Sequence, residues 1–183
     1  MRRSYVPIFQ DKEYNSQIFF DYEANEFFTT PEQKNSSITY LSGFVGIILY
    51  SFFKNVSFDI GIDPFTLVFL SIILGVIISI ASIKLIMNVT NKGLKKIKIL
   101  IIPTTEQIKE YIYEGRKQSK KLLYMILFLF FLSMIGSIML FFLPNSVLFF
   151  FLNIAIWAAF IVSTWAVRPI KKIQVYKHLK SAI

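Results

Sequence analysis

Long uncharged runs alternate with short charged ones along the chain. A bilayer core about 30 Å thick is crossed by about 20 mostly apolar residues in a helix. Residues 64–87 form one such run with a single charge, Lys84, near its far end. Residues 122–143 and 147–167 form two more with no ionisable residue at all. A shorter run at 38–53 includes Ser42, Gly43 and Gly46. It reaches a full span if Lys54 snorkels and residues 55–58 lie in the interface. The pattern therefore predicts four membrane spans. Pro144-Asn145-Ser146 separates the last two, and a proline followed by two turn-forming residues suits a tight connection between antiparallel helices. A single very long buried helix is the competing reading, and its length and central proline argue against it.

Outside these runs the periodicity changes. Residues 5–10, 17–21 and 26–30 are short β-prone runs, separated by the polar stretch 11–16 and by Glu23-Ala24-Asn25. This spacing predicts a hairpin or a three-stranded meander. Residues 95–102 alternate basic and apolar before Pro103, which predicts a further strand able to pair with the hairpin. Isolated hairpins are marginal in water, so the extra strand strengthens that reading. The alternative is an interfacial, partly disordered N-terminus. Residues 104–121 predict a helix, because Thr104 and Gln107 have capping-box spacing. Ile108, Tyr111 and Ile112 form its apolar stripe, and its acids precede its bases as the macrodipole favours. We read it as a solvated helix leading into the third span. The other reading is an amphipathic helix lying on anionic lipid, although the stripe is short and Gly115 interrupts it.

The expected fold is thus an all-α membrane protein, a four-transmembrane-helix bundle with a small cytoplasmic β hairpin or sheet at the N-terminus. Its divisions are a β-rich segment 1–37, a first pair of spans 38–87, a basic loop 88–121 with strand and helix, a second pair of spans 122–167, and a basic tail 168–183. Composition agrees: the 183 residues are 55% hydrophobic and only 17% charged, against about 45–50% and 25% in soluble domains. The net charge of +9 is explained by its placement. The loop 88–121 holds nine Lys/Arg against three Glu, and the tail five Lys/Arg and no acid. Lys/Arg-rich loops stay inside, so both termini are expected in the cytoplasm of a bacterial plasma membrane. Arg2 and Arg3 are followed by polar and aromatic residues rather than the apolar core of a signal peptide.

Candidate chemistry is sparse. The absence of Cys excludes disulfides and thiolate ligands, and one His makes a triad or imidazole cluster improbable. No Walker loop, zinc pair or nucleophile elbow occurs. We therefore expect no catalytic residue, no cofactor and no metal, and no nucleic-acid partner. The spans carry small-residue stripes instead: Ser71, Gly75 and Ser79; Ser133 and Ser137 beside Gly136; and Ala155, Ala159 and Ser163. Such stripes let helices approach closely in lipid. Intramolecular packing is one reading of them, and a face for another membrane protein or a homo-oligomer is the other. Asn153 is the one carboxamide deep in a span, where an unpaired amide is costly, so it is expected to bond another helix or a partner. Asn55, Asp59 and Asp63 form the polar feature on the outer side. Arg168, Lys171 and Lys172 are candidate lipid-headgroup ligands, each basic residue near an anionic leaflet contributing about 1 kcal/mol.

The order Arg3, Tyr5, Ile8, then Tyr14, then Phe20-Asp21-Tyr22-Glu23, together with the basic strand ending at Pro103-Thr104, resembles the tandem five-transmembrane family of low-GC Gram-positive bacteria. The resemblance covers about the first 40 residues and the general architecture, with four expected spans here rather than five. It implies a non-enzymatic immunity protein that binds a membrane-active toxin, exported by type VII secretion, within the bilayer. Two other readings follow from topology alone: an accessory subunit of a transporter or secretion complex, or a small oligomeric channel.

Overall fold

Helix α1 (Pro64–Ile97), helix α2 (Thr105–Phe142) and helix α3 (Val147–Val167) form where the long uncharged runs were read, followed by a shorter helix α4 (Pro169–Ser181). The computed structural model describes residues 5–11, 16–30, 61–97 and 99–181. The expected span at 38–53, with Asn55 and Asp59, lies outside the described residues. Among the described residues three helical segments are long and apolar enough to cross a membrane. At most 28% of the most apolar stretch of each is buried inside the protein. Phe65, Phe69, Phe128, Phe131 and Phe142 are all more than half exposed. Apolar area of that extent suits a lipid environment and not water. The fold is a mostly helical membrane type with a small antiparallel sheet.

The chain divides into two compact units. One comprises Met1–Lys34, Ile86–Met125 and Thr164–Ile183, and the other Asn35–Leu85 and Ile126–Ser163. The first holds strands β1 (Tyr5–Asp11), β2 (Ser16–Asp21), β3 (Glu26–Thr30) and β4 (Ile99–Ile101), in the order β1-β2-β3-β4. The meander is present, and the later strand joins it antiparallel, Phe27–Thr29 facing Ile99–Ile101. That later strand is shorter than residues 95–102. α1 runs on to Ile97, and pairing exists only opposite three residues of β3. Four alternating residues do not hold a strand without a partner.

The turn between β2 and β3 is built by Asp21, whose Oδ1 accepts the Glu23 and Ala24 amides at 3.1 and 3.3 Å. Asn25 takes the left-handed conformation there, φ 55°, a region Asn tolerates well. One sheet face buries Val6, Ile8, Ile18, Phe20 and Phe27 against Ile112 of α2 and Val175, Tyr176 and Leu179 of α4. The opposite face stacks Phe19 on Phe28 at 5.2 Å, with Tyr5 edge-on to Phe28 at 4.9 Å.

The second unit is a helix packing. Leu67, Leu140, Phe150 and Ile154 form its buried apolar cluster. The break between α2 and α3 falls at 143–146, closed by a Ser146 amide donating to the Leu143 carbonyl at 3.2 Å.

Candidate functional site

Two arrangements of polar groups stand out, one in each unit. In the helical unit Asn153 of α3 is fully buried. Its Nδ2 donates to Ser71 Oγ at 2.8 Å, and its Oδ1 lies 3.2 Å from Ser137 Oγ. Trp157 Nε1 donates to Ser137 Oγ at 3.1 Å. Each serine also has a carbonyl of its own helix within reach: Val68 at 2.7 Å for Ser71, Ser133 at 2.9 Å for Ser137. The carboxamide is satisfied on both sides by neighbouring helices, as an amide in hydrocarbon must be.

Gly75 fits beside this network. A Cβ there would sit 2.9 Å from Trp157 Cβ and 3.1 Å from the Ile154 carbonyl, so α1 and α3 meet at van der Waals distance through it. Ser79 is also buried, donating to the Gly75 carbonyl at 2.6 Å. The stripe on α3 does not make the intramolecular contact, which leaves its other reading, a face for another membrane protein, untouched. Ala155 and Ala159 are exposed, and the small residue in the contact is Ala158. The i, i+4 spacing of small residues recurs on several faces of an Ala-rich helix, and only the neighbours select one.

In the sheet unit α4 carries the basic tail. Arg168, in the left-handed conformation at φ 48°, separates it from α3 and stacks 5.2 Å over the Trp165 ring. Lys171 is exposed, whereas Lys172 is buried, 6% exposed. The three residues named together as headgroup ligands therefore occupy three different environments. Burial holds the Lys172 ammonium below the usual lysine range, with no acidic neighbour among the described residues to offset it.

Lys172 lines a cavity of about 280 Å³ between α2 and α4. Arg116, Lys120 and Lys177 line it too, and no acid does. Tyr176 closes one wall. Its hydroxyl donates to the Ile8 carbonyl at 2.7 Å and accepts from Ser119 at 3.2 Å, so neither hydroxyl hydrogen remains for a ligand. The Ile8 carbonyl is available because the β1–β2 register skips Ile8 in a bulge. Gly115 makes the approach of α2 feasible: a Cβ there would lie 2.6 Å from the Ile8 carbonyl and 2.7 Å from the Tyr176 hydroxyl.

Asp63 is exposed and caps α1. Its carboxylate accepts the Thr66 amide at 3.0 Å and the Thr66 hydroxyl, which hold its pKa below the ordinary carboxylate value. Asp63 has a local structural role, and its relation to Asn55 and Asp59 lies outside the described residues. Among the described residues no group of three His, Cys, Asp or Glu is placed to hold a metal. Gly115, Tyr176 and the burial of Lys172 were missed in the sequence. Gly115 gave the one signal available, a glycine inside an otherwise regular helix, which commonly marks close packing. Comparison with family models, curated proteins and solved structures finds no match.

Proposed function

We propose that the chain is a non-enzymatic, four-span immunity protein of a bacterial plasma membrane, which shields the cell by binding a membrane-active toxin within the bilayer. The observation that carries this reading is that the described residues behind the family resemblance converge; Arg3 and Tyr14 lie outside the described residues. Ile8 and Phe20 lie in one apolar cluster, Asp21 builds the adjoining turn, and Tyr5 packs on Phe28. Thr104 forms the reciprocal cap with Gln107 that starts α2, at 2.9 and 3.3 Å. In this chain those residues therefore belong to one folded unit, which is the support the reading has.

Asn153, Ser71, Ser137 and Trp157 bond one another, and Phe69, Phe128 and Phe131 are exposed on apolar faces open to a partner in the bilayer. A toxin that inserts through an apolar helix presents the matching surface. The four-span reading has a second support, from parity. β3 pairs with β4, so in a membrane the two strands would share one aqueous side. If α1 crosses once, Asp63 would lie on the other side, and the uncharged run 38–53 has the composition to supply the return crossing that a four-span protein needs. The basic loop and tail favour a cytoplasmic side for the sheet.

The test is deletion of the gene in its native host, followed by exposure to the secreted toxin encoded beside it. Sensitivity restored to resistance by the full chain supports the proposal. Indifference of the deleted strain overturns it, and stoichiometric co-purification with a larger transporter in mild detergent would favour an accessory subunit instead.

A further inference from the structure

The cavity between α2 and α4 combines two features that rarely occur together. Four of its lining residues, Arg116, Lys120, Lys172 and Lys177, are cationic. The rest of the wall is largely Leu123, Val167, Pro169 and Ile173. Lys172 is the decisive residue. It is more than nine-tenths buried, and among the described residues it has no carboxylate partner. A buried unpaired ammonium is costly, and such groups are normally found paired. An incoming anion would supply the pair. The wall would meet hydrocarbon, since Leu123 is the second residue of the apolar run 122–143 and Val167 closes the run 147–167, at the water boundary of two spans. At about 280 Å³ the space is near the small end of ligand pockets, about 300–1,000 Å³, which suits a headgroup and not a whole two-chain lipid.

We propose that this cavity binds the phosphate headgroup of an anionic phospholipid, with Lys172 against the phosphate and the glycerol end of the acyl chains along Leu123, Val167 and Ile173. Arg116, Lys120 and Lys177 supply the surrounding positive field, and basic pockets at helix ends are a common form of headgroup recognition. Inorganic phosphate offers the charge without the hydrocarbon, so the apolar wall selects the lipid. The site is independent of the toxin reading and stands if that reading fails.

The test is native mass spectrometry of the full chain, purified in a nonionic detergent and presented with phosphatidylglycerol or phosphatidylcholine. Phosphatidylglycerol is expected to be retained in preference to phosphatidylcholine. Lys172→Met should retain it about tenfold less, the loss of one charge-assisted hydrogen bond. Lys171→Met, at an exposed site outside the cavity, should behave as wild type, and Lys172→Arg should restore retention. In lipid-free detergent Lys172→Met should melt no lower than wild type, which separates ligand binding from a structural role. Should Lys172→Met not fold, Leu123→Trp, which fills the cavity from α2, must show the same selective loss. Equal retention of the two lipids, unchanged retention in Lys172→Met, or displacement of phosphatidylglycerol by millimolar inorganic phosphate would each overturn the proposal.

Discussion

Two glycines and one amide set how closely the elements approach. Gly115 sits where α2, the β1 bulge and Tyr176 meet, with no room for a methyl group. Alanine would gain about 1 kcal/mol of helix propensity, while overpacking costs about 1–3 kcal/mol. A contact of 2.6 Å to a backbone carbonyl puts the cost at the upper end. Gly115→Ala is therefore expected to destabilise by about 1–2 kcal/mol, read as a lowered melting temperature in detergent. A variant as stable as wild type would show that the sheet and α2 are not in contact there. Gly75 makes the corresponding contact in the helical unit, where the neighbours are a Cβ and a carbonyl rather than a flexible side-chain tip. Gly75→Leu should cost about 3 kcal/mol or more. Asn153→Leu should be mild, because Ser71 and Ser137 keep backbone acceptors when the amide is removed. Interhelical hydrogen bonds in membranes average only about 0.6 kcal/mol. Detergent melting curves in which Asn153→Leu is the more damaged of the two would reverse this ranking.

Helix ends are the elements whose behaviour can be tested by pH. Asp63 is held below the ordinary carboxylate value of 3.8, first by the Thr66 hydroxyl and then by the Thr66 amide. A depressed carboxylate contributes stability above its unfolded value, and that contribution is lost as pH falls through the folded value. The Thr66 amide shift, followed by NMR in micelles, should therefore titrate with a midpoint below 3.8, and Thr66→Val should move it upward. A wild-type midpoint at or above the ordinary value would remove the cap from the account. Such caps are written locally, and so were legible: Thr104 and Gln107 bond as their spacing requires, and the turn 143–146 falls at its proline. The strand at 99–101 was half legible, because its existence follows from alternation but its length follows from β3. The cavity was not legible at all. Lys172 reads as one more basic tail residue until α4 is seen to turn it inward beside Val175, Tyr176 and Leu179, and nothing in a one-dimensional charge count distinguishes it from Lys171.

For the whole molecule the decisive quantity is the sidedness of three segments that are far apart in sequence. Val6 and Ile8, Ile112, and Val175, Tyr176 and Leu179 share one apolar cluster, so the N-terminal strands, the start of α2 and the C-terminal helix cannot be separated by a bilayer. Under the four-span proposal, with α1, α2 and α3 each crossing once, residues 63 and 145 are expected on one side, and residues 30, 99 and 181 on the other. That proposal assigns the remaining crossing to the uncharged run 38–53, which has the composition for it. The chain has no native cysteine, so single replacements report cleanly. Asn145→Cys is expected to react with an impermeant thiol reagent on intact cells. Ser181→Cys and Asn25→Cys should react only after the membrane is opened, with His178 beside Asn25 leaving both on the same face. Reaction of Asn25→Cys and Ser181→Cys from opposite sides would break the sheet unit itself. Reaction of both from outside with Asn145→Cys protected would keep the fold and invert its orientation, against the charge distribution of nine and five Lys/Arg in the loop and tail.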